Sequence, residues 1–115
     1  MDLINQSSIE DLRAMDDGQG IFLKDILGLY LYESVNILED IIANSDSENY
    51  DAMSKSAHKL KGSSLSVGAT GLAEICAVFE KKPDFNVTDK EQLKVNLRDL
   101  YNATKEEFNK IISSD

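Results

Sequence analysis

Between residues 23 and 42, Leu23, Leu27, Tyr30, Leu31, Val35, Leu38 and Ile42 recur at spacings of three and four. That period lines them up along one side of an α-helix and on no single face of a strand. The run predicts one long helix from about Gln19 to Ala43. A helix with one apolar stripe must bury that stripe against other elements, so the rest of the chain has to supply the cover.

It does so with more of the same pattern. Ser7-Ser8-Ile9-Glu10 offers a capping box, a serine and a glutamate three residues on that satisfy each other's free backbone N–H groups. A short helix follows to about Met15, and Asp16-Asp17-Gly18 breaks it. Ser45 with Glu48 is a second such pair and opens the next helix, whose stripe is Tyr50, Met53, Ala57, Leu60, Ser64 and Val67. Gly68 is placed to end it as a left-handed cap. Thr70 caps a fourth helix with Leu72, Ile75, Cys76 and Phe79 inward. Lys81 and Lys82 suit the C-terminal end of that helix, and Pro83 stops it. In Thr88-Asp89-Lys90-Glu91 the threonine caps a last helix to about Ile112, with Leu93, Leu97, Leu100, Phe108 and Ile111 inward. There is one proline, and no β-type alternation. The expectation is an all-α fold, an antiparallel four-helix bundle with a short additional N-terminal helix, formed by residues 1–115 as a single domain.

Composition narrows the function classes. Asp25, Glu33 and Glu39 interrupt the longest apolar candidate, short of the roughly 20 residues a membrane helix needs. Met1-Asp2 opens acidic, without the basic stretch and apolar run of a signal peptide, which predicts a cytoplasmic protein. That start and the polar Ser113-Ser114-Asp115 end suggest a free-standing one, with a monomer as the default. A single cysteine, Cys76, makes neither an internal disulfide nor a cysteine-based zinc site, and it falls on an inner stripe as a small core residue. A net charge of −9 argues against nucleic-acid and anionic membrane partners. No carboxylates cluster as in a metal loop, so no metal site is expected. Tyr30, Tyr50, Phe79 and Phe108 read as core by spacing. The pairs Glu39-Asp40 and Glu106-Glu107 read as solvated faces.

The segment Ala57-His58-Lys59-Leu60-Lys61-Gly62-Ser63-Ser64 remains. His58 is the one histidine in the chain. It stands about 100° round from Ala57, at or beyond the edge of the buried stripe. Its neighbours three and four residues away are Ser54, Lys55, Lys61 and Gly62, with Leu65 a turn further. Adjacent cations favour the neutral, nucleophilic form of an imidazole. Gly62 weakens the helix by about 1 kcal/mol relative to alanine, which makes sense where something must come close to the ring. An outward imidazole with a cation nearby and a cleared approach suits acceptance of a phosphoryl group. From periodicity alone, however, a lone surface histidine beside lysines is more often an ordinary solvated face. Gly62 and Ser63-Ser64 are equally consistent with close helix packing or an early fray.

This segment, followed by Gly68-Ala69, resembles the signature of histidine-containing phosphotransfer (HPt) domains, a His-x-x-Lys-Gly-x-Ser pattern with a Gly-Ala or similar pair a turn later. Leu72-x-x-x-Cys76-x-x-Phe79-Glu80 is similar to the family's following helix. Leu12-x-x-Met15-Asp16-Asp17, then Phe22, is similar to the entry to its first long helix. The similarity runs from about Ser8 to Ile112. It implies a four-helix bundle in which His58 accepts and donates a phosphoryl group. Lys61, Gly62, Ser64 and the more variable Lys59 are then the phosphoryl-supporting residues, with Glu80 orienting the ring through its other nitrogen. Leu12, Phe22 and Leu65 become an apolar patch for a partner. The implied partners are response-regulator receiver domains and a hybrid sensor histidine kinase. Such a domain has no cofactor of its own, the Mg2+ of the transfer sits in the receiver, and the carrier is not an enzyme with turnover.

Two other readings compete. A helical-bundle adaptor would bind a receiver or kinase with His58 incidental. An enzyme would exploit the Ser56-x-x-Lys59 pair, or Ser63 or Ser64 near His58, but no third orienting group is placed by spacing, and a small bundle offers little pocket. Neither an ATP-binding motif nor a P-loop is present.

Overall fold

Each apolar stripe is covered by the stripes of its neighbours. The computed structural model describes residues 2–16, 20–81 and 87–114, without the side chains of residues 87 and 88. Within them lie five helices: α1 (Gln6–Ala14), α2 (Ile21–Asp46), α3 (Tyr50–Ser66), α4 (Thr70–Glu80) and α5 (Val87–Ile112). The helix α2 packs on α3 and α5, and α4 packs on α3 and α5, which closes a four-helix bundle, with α1 laid against α2. Cross-helix bonds give the directions. Lys24 near the start of α2 reaches the Ser114 carbonyl just past α5, while Lys94 early in α5 pairs with Asp46 at the end of α2. Ser54 in the first turns of α3 meets the last residue of α4. Neighbours around the bundle are therefore antiparallel, as short connections require.

The helix ends differ from expectation in an informative way. Ser45 does not open α3. It is buried inside α2, which runs on to Asp46. The Glu48 N–H bonds the Ser45 carbonyl at 3.2 Å and the Asn49 N–H bonds the Asn44 carbonyl at 2.9 Å. These two bonds make a Schellman ending, with Glu48 at the left-handed position (φ 60°) usually given to glycine. Asn49 then caps α3 by accepting from the Ala52 N–H. Ser7 and Ser8 likewise do not cap α1. Asn5 does, taking both of their N–H groups on its side-chain oxygen. Thr70 is the first helical residue of α4 rather than its cap, and its hydroxyl donates to the Asp2 carbonyl. For α1 and α3 an asparagine takes the role assigned to a serine, and for α4 the N-cap is Ala69, which gives no side-chain cap bond. The α5 helix already includes Thr88, whose side chain lies outside the described residues, as do Asp17, Gly18, Lys82 and Pro83.

Gly68 ends α3 as expected, at φ 77°, with the Ala69 N–H bonding the Ser64 carbonyl at 2.8 Å. A second constraint acts there. A Cβ on Gly68 would stand 2.8 Å from Ser8 Cβ and 2.9 Å from the Asn5 carbonyl oxygen, because α1 docks directly on this turn through Asn5 N–H to Gly68 O. Only glycine meets both demands.

The core runs the length of the bundle, with Leu23, Leu27, Leu38, Met53, Leu60, Leu72, Phe79, Leu97 and Phe108 fully buried. Tyr30 meets Phe108 edge-on, with ring centroids 5.8 Å apart, and its hydroxyl bonds Ser64 Oγ at 2.6 Å. Burial pushes that hydroxyl's pKa well above its ordinary value and the Cys76 thiol up to about 12. Val35 leaves the expected stripe and is exposed beside Glu39 and Arg98, while Ser34 and Ile41 turn inward. Ser34 can do so because its hydroxyl donates to the Leu31 carbonyl of its own helix. Tyr50, Leu93, Leu100 and Ile111 are partly buried against the core. No helix of the described residues is long and apolar enough to cross a membrane.

Glu48→Gly removes a side chain from a conformation that disfavours it by about 1 kcal/mol. The expected result is a rise in melting temperature of about 4 °C in thermal denaturation; no rise would mean the turn is not strained.

Candidate functional site

One strip of α3 decides the site. Met53, Ala57, Leu60 and Ser64 bury the inner stripe, so the residues between them face out. The His58 side chain is 71% exposed. The last residue of α4 comes to meet it. Glu80 Oε1 lies 2.6 Å from His58 Nδ1, and Glu80 Oε2 lies 2.5 Å from Lys61 Nζ. One carboxylate thus spans two residues a turn apart on α3. The expectation of a histidine lying among lysines is corrected in one respect: a carboxylate stands between the ring and Lys61, and Lys61 reaches the site through it.

The hydrogen bond from Lys61 holds the Glu80 carboxyl below the usual carboxylate range, and that from His58 adds to it. At neutral pH Glu80 is therefore ionised and can only accept. The proton of the His58–Glu80 bond must then sit on Nδ1. In the neutral ring this puts the lone pair on Nε2.

Gly62 lies one turn beyond His58 on the exposed side. A Cβ placed there meets nothing within 4 Å, so no packing within the chain requires a glycine. The helix continues to Ser66, so it marks no fray either. What remains is open space beside the imidazole. Lys59 is exposed on the other flank, at the rim of a groove of about 230 Å3 between α2 and α3 that Leu29, Glu33 and Ser63 also line. Ser64 is not brought to the ring. It is fully buried and bonded to Tyr30, because its place on the inner stripe turns it away from His58. Ser63 bonds the Lys59 and Leu60 carbonyls of its own helix, and neither serine is set up as a nucleophile.

Leu65 is 53% exposed two turns from His58 on the same side of α3. Phe22 is 40% exposed at the start of α2, its N–H bonded to the Asp16 carboxylate. Leu12 is mostly turned into the core edge instead. Met15 and Ile21, both exposed, flank Phe22 in the chain more openly than Leu12 does. Their signal in the sequence was an apolar residue on either side of the Asp16-Asp17-Gly18 break. Among the described residues, no group of three or more His, Cys, Asp or Glu side chains is arranged to hold a metal ion.

Comparison with known proteins agrees with this geometry. Residues 25–107 match the Hpt domain family. Histidine-containing phosphotransfer protein 2 of Arabidopsis thaliana is 29% identical over 72 residues, covering 60% of this chain and 46% of that protein. The chain thus spans just under half the length of this relative. The X-ray structure of a rice protein described as a histidine-containing phosphotransfer protein superposes with a TM-score of 0.82, over 96% of this chain and 79% of that one. At 22% identity that likeness speaks for the fold. With most of its length matched by the family, from within α2 to within α5, the chain belongs to the Hpt domain family.

Proposed function

We propose that this chain is the phosphoryl carrier of a two-component phosphorelay, with His58 as the residue that takes and gives the group. One observation carries the reading most: an exposed imidazole whose Nδ1 is engaged by an ionised carboxylate, with empty space at Gly62 beside it. The lone pair on Nε2 attacks the phosphorus of a receiver phospho-aspartate. The bond from phosphorus to the aspartate oxygen breaks, the carboxylate leaves, and an Nε2–P bond forms. No proton has to move, since Nδ1 already holds one. The positive charge that develops on the ring faces Glu80, and transfer to a second receiver aspartate is the same step reversed.

Lys61 lies close enough to exchange its carboxylate partner for the arriving phosphoryl oxygens, and Lys59 adds positive charge on the other flank. The Mg2+ of the transfer belongs to the acidic site of the receiver. The chain is then a carrier without turnover of its own. Phe22 and Leu65, with Met15 and Ile21, offer the receiver exposed apolar footing. The same reading makes it a cytoplasmic, monomeric domain whose second partner is a hybrid sensor histidine kinase.

The test is transfer of label. Incubated with phosphorylated receiver domains and Mg2+, the wild type takes up acid-labile, base-stable label, while His58→Gln takes up none and still binds the receivers. Unlabelled wild type that binds receivers would instead favour an adaptor. Glu80→Gln keeps the shape but loses the charge on Nδ1, and the expected transfer rate falls about tenfold, as for loss of one charged hydrogen bond. The pH dependence has a definite sign. A carboxyl lowered by folding adds stability at neutral pH that is lost as pH falls through its folded value. The gap in melting temperature between wild type and Glu80→Gln should be widest at pH 7 and close in acid; a gap that stays constant would mean the carboxylate is not stabilised by its partners.

A further inference from the structure

We propose that Ser54 is a positioning residue for His58: its hydroxyl fastens the end of α4 to α3 and so keeps the Glu80 carboxylate on the imidazole. Ser54 Oγ donates to the Glu80 backbone carbonyl at 2.6 Å, in a partly buried contact. Glu80 is the last residue of α4, and the carbonyls of a final turn have no acceptor role left within their own helix. Ser54 supplies the missing donor from outside.

The spacing gives the bond its meaning. Ser54, His58 and Lys61 are four and three residues apart and form one strip on α3. All three donate to the same residue, Ser54 to its backbone and the other two to its carboxylate. Of the two carboxylate contacts, that of Lys61 is the one that must loosen as the cation changes partner, which leaves His58 alone on the carboxylate. The Ser54 contact involves neither the ring nor the cation, so it holds Glu80 in register throughout. A final turn released from α3 frays, and a frayed Glu80 no longer selects the tautomer with its proton on Nδ1.

The inference deepens the carrier reading and rests on it for its kinetic part, while its tautomer part stands alone. The chain has one histidine, so ring-nitrogen NMR of 15N-labelled protein reports His58 without assignment. The wild type should show a single tautomer with the proton on Nδ1. Ser54→Ala should show both tautomers in exchange, and Ser54→Thr should restore the first. Phosphorylation by phosphoramidate, which needs no receiver, should slow about fivefold in Ser54→Ala, as for loss of one neutral hydrogen bond, and recover in Ser54→Thr. Alanine favours the helix more than serine does, so the variant should fold. If circular dichroism shows that it does not, Ser54→Cys, with its weaker donor, takes its place and should fall between wild type and the full loss.

Ring shifts and phosphorylation rate identical to wild type in the folded variant would overturn the proposal, whatever happens to the melting temperature, and leave Ser54 as a cap alone. A wild type that phosphoramidate and phospho-receivers both fail to label, with a tautomer that still shifts in Ser54→Ala, would sink the carrier reading and leave the positioning role standing.

Discussion

Burial of one stripe of α3 is the constraint on which the rest depends. Met53, Ala57, Leu60 and Ser64 can be covered only from one side, and α2 and α4 flank that side. Once they are in, His58 has nowhere to point but outward, and Lys61 and Ser54 are carried round to the α4 edge. The site needs no loop and no strained backbone. It is a by-product of helix geometry, with its side chains carried on helices rather than on loops. The bond between Tyr30 and Ser64 ties α2 to α3 from beneath, two turns from the histidine.

The Glu80 carboxylate does two things with one charge. It chooses which ring nitrogen keeps the proton, and it holds a cation beside the ring without placing that cation on it. Without Glu80, Lys61 would oppose any positive charge on His58, including the charge that the carrier reading assigns to the ring. With it, the three groups form an alternating row of imidazole, carboxylate and ammonium that sums to zero while the ring is neutral, and any charge the ring gains faces the carboxylate first.

Much of this was legible in the chain because it follows from period. The α2 and α3 stripes, the left-handed turn at Gly68 and the outward histidine all come from spacings of three and four, which a single helix enforces. Cap residues were harder, since Ser-x-x-Glu fits the rule for a start at Ser7 and at Ser45 equally well, yet Asn5 and Asn49 took those roles. Nothing local marks Glu48 as left-handed; the turn closes there because two backbone bonds outweigh the strain of one side chain. Contacts between helices were least visible. Tyr30 to Ser64 spans 34 residues and Ser54 to Glu80 spans 26, so each depends on helix lengths and packing that no short window contains. The position of Glu80 was reached by resemblance, whereas its grip on Lys61 required coordinates.

The pinned Nδ1 has a consequence for traffic. A ring held at one nitrogen offers a single lone pair, reached over the bare backbone of Gly62, so on the carrier reading donor and acceptor need the same doorway. They cannot occupy it together. The phosphoryl group must then wait on the histidine, alone, between the departure of one partner and the arrival of the next. Throughput is limited by how quickly each partner lets go, and tight binding on either side would slow the relay it serves.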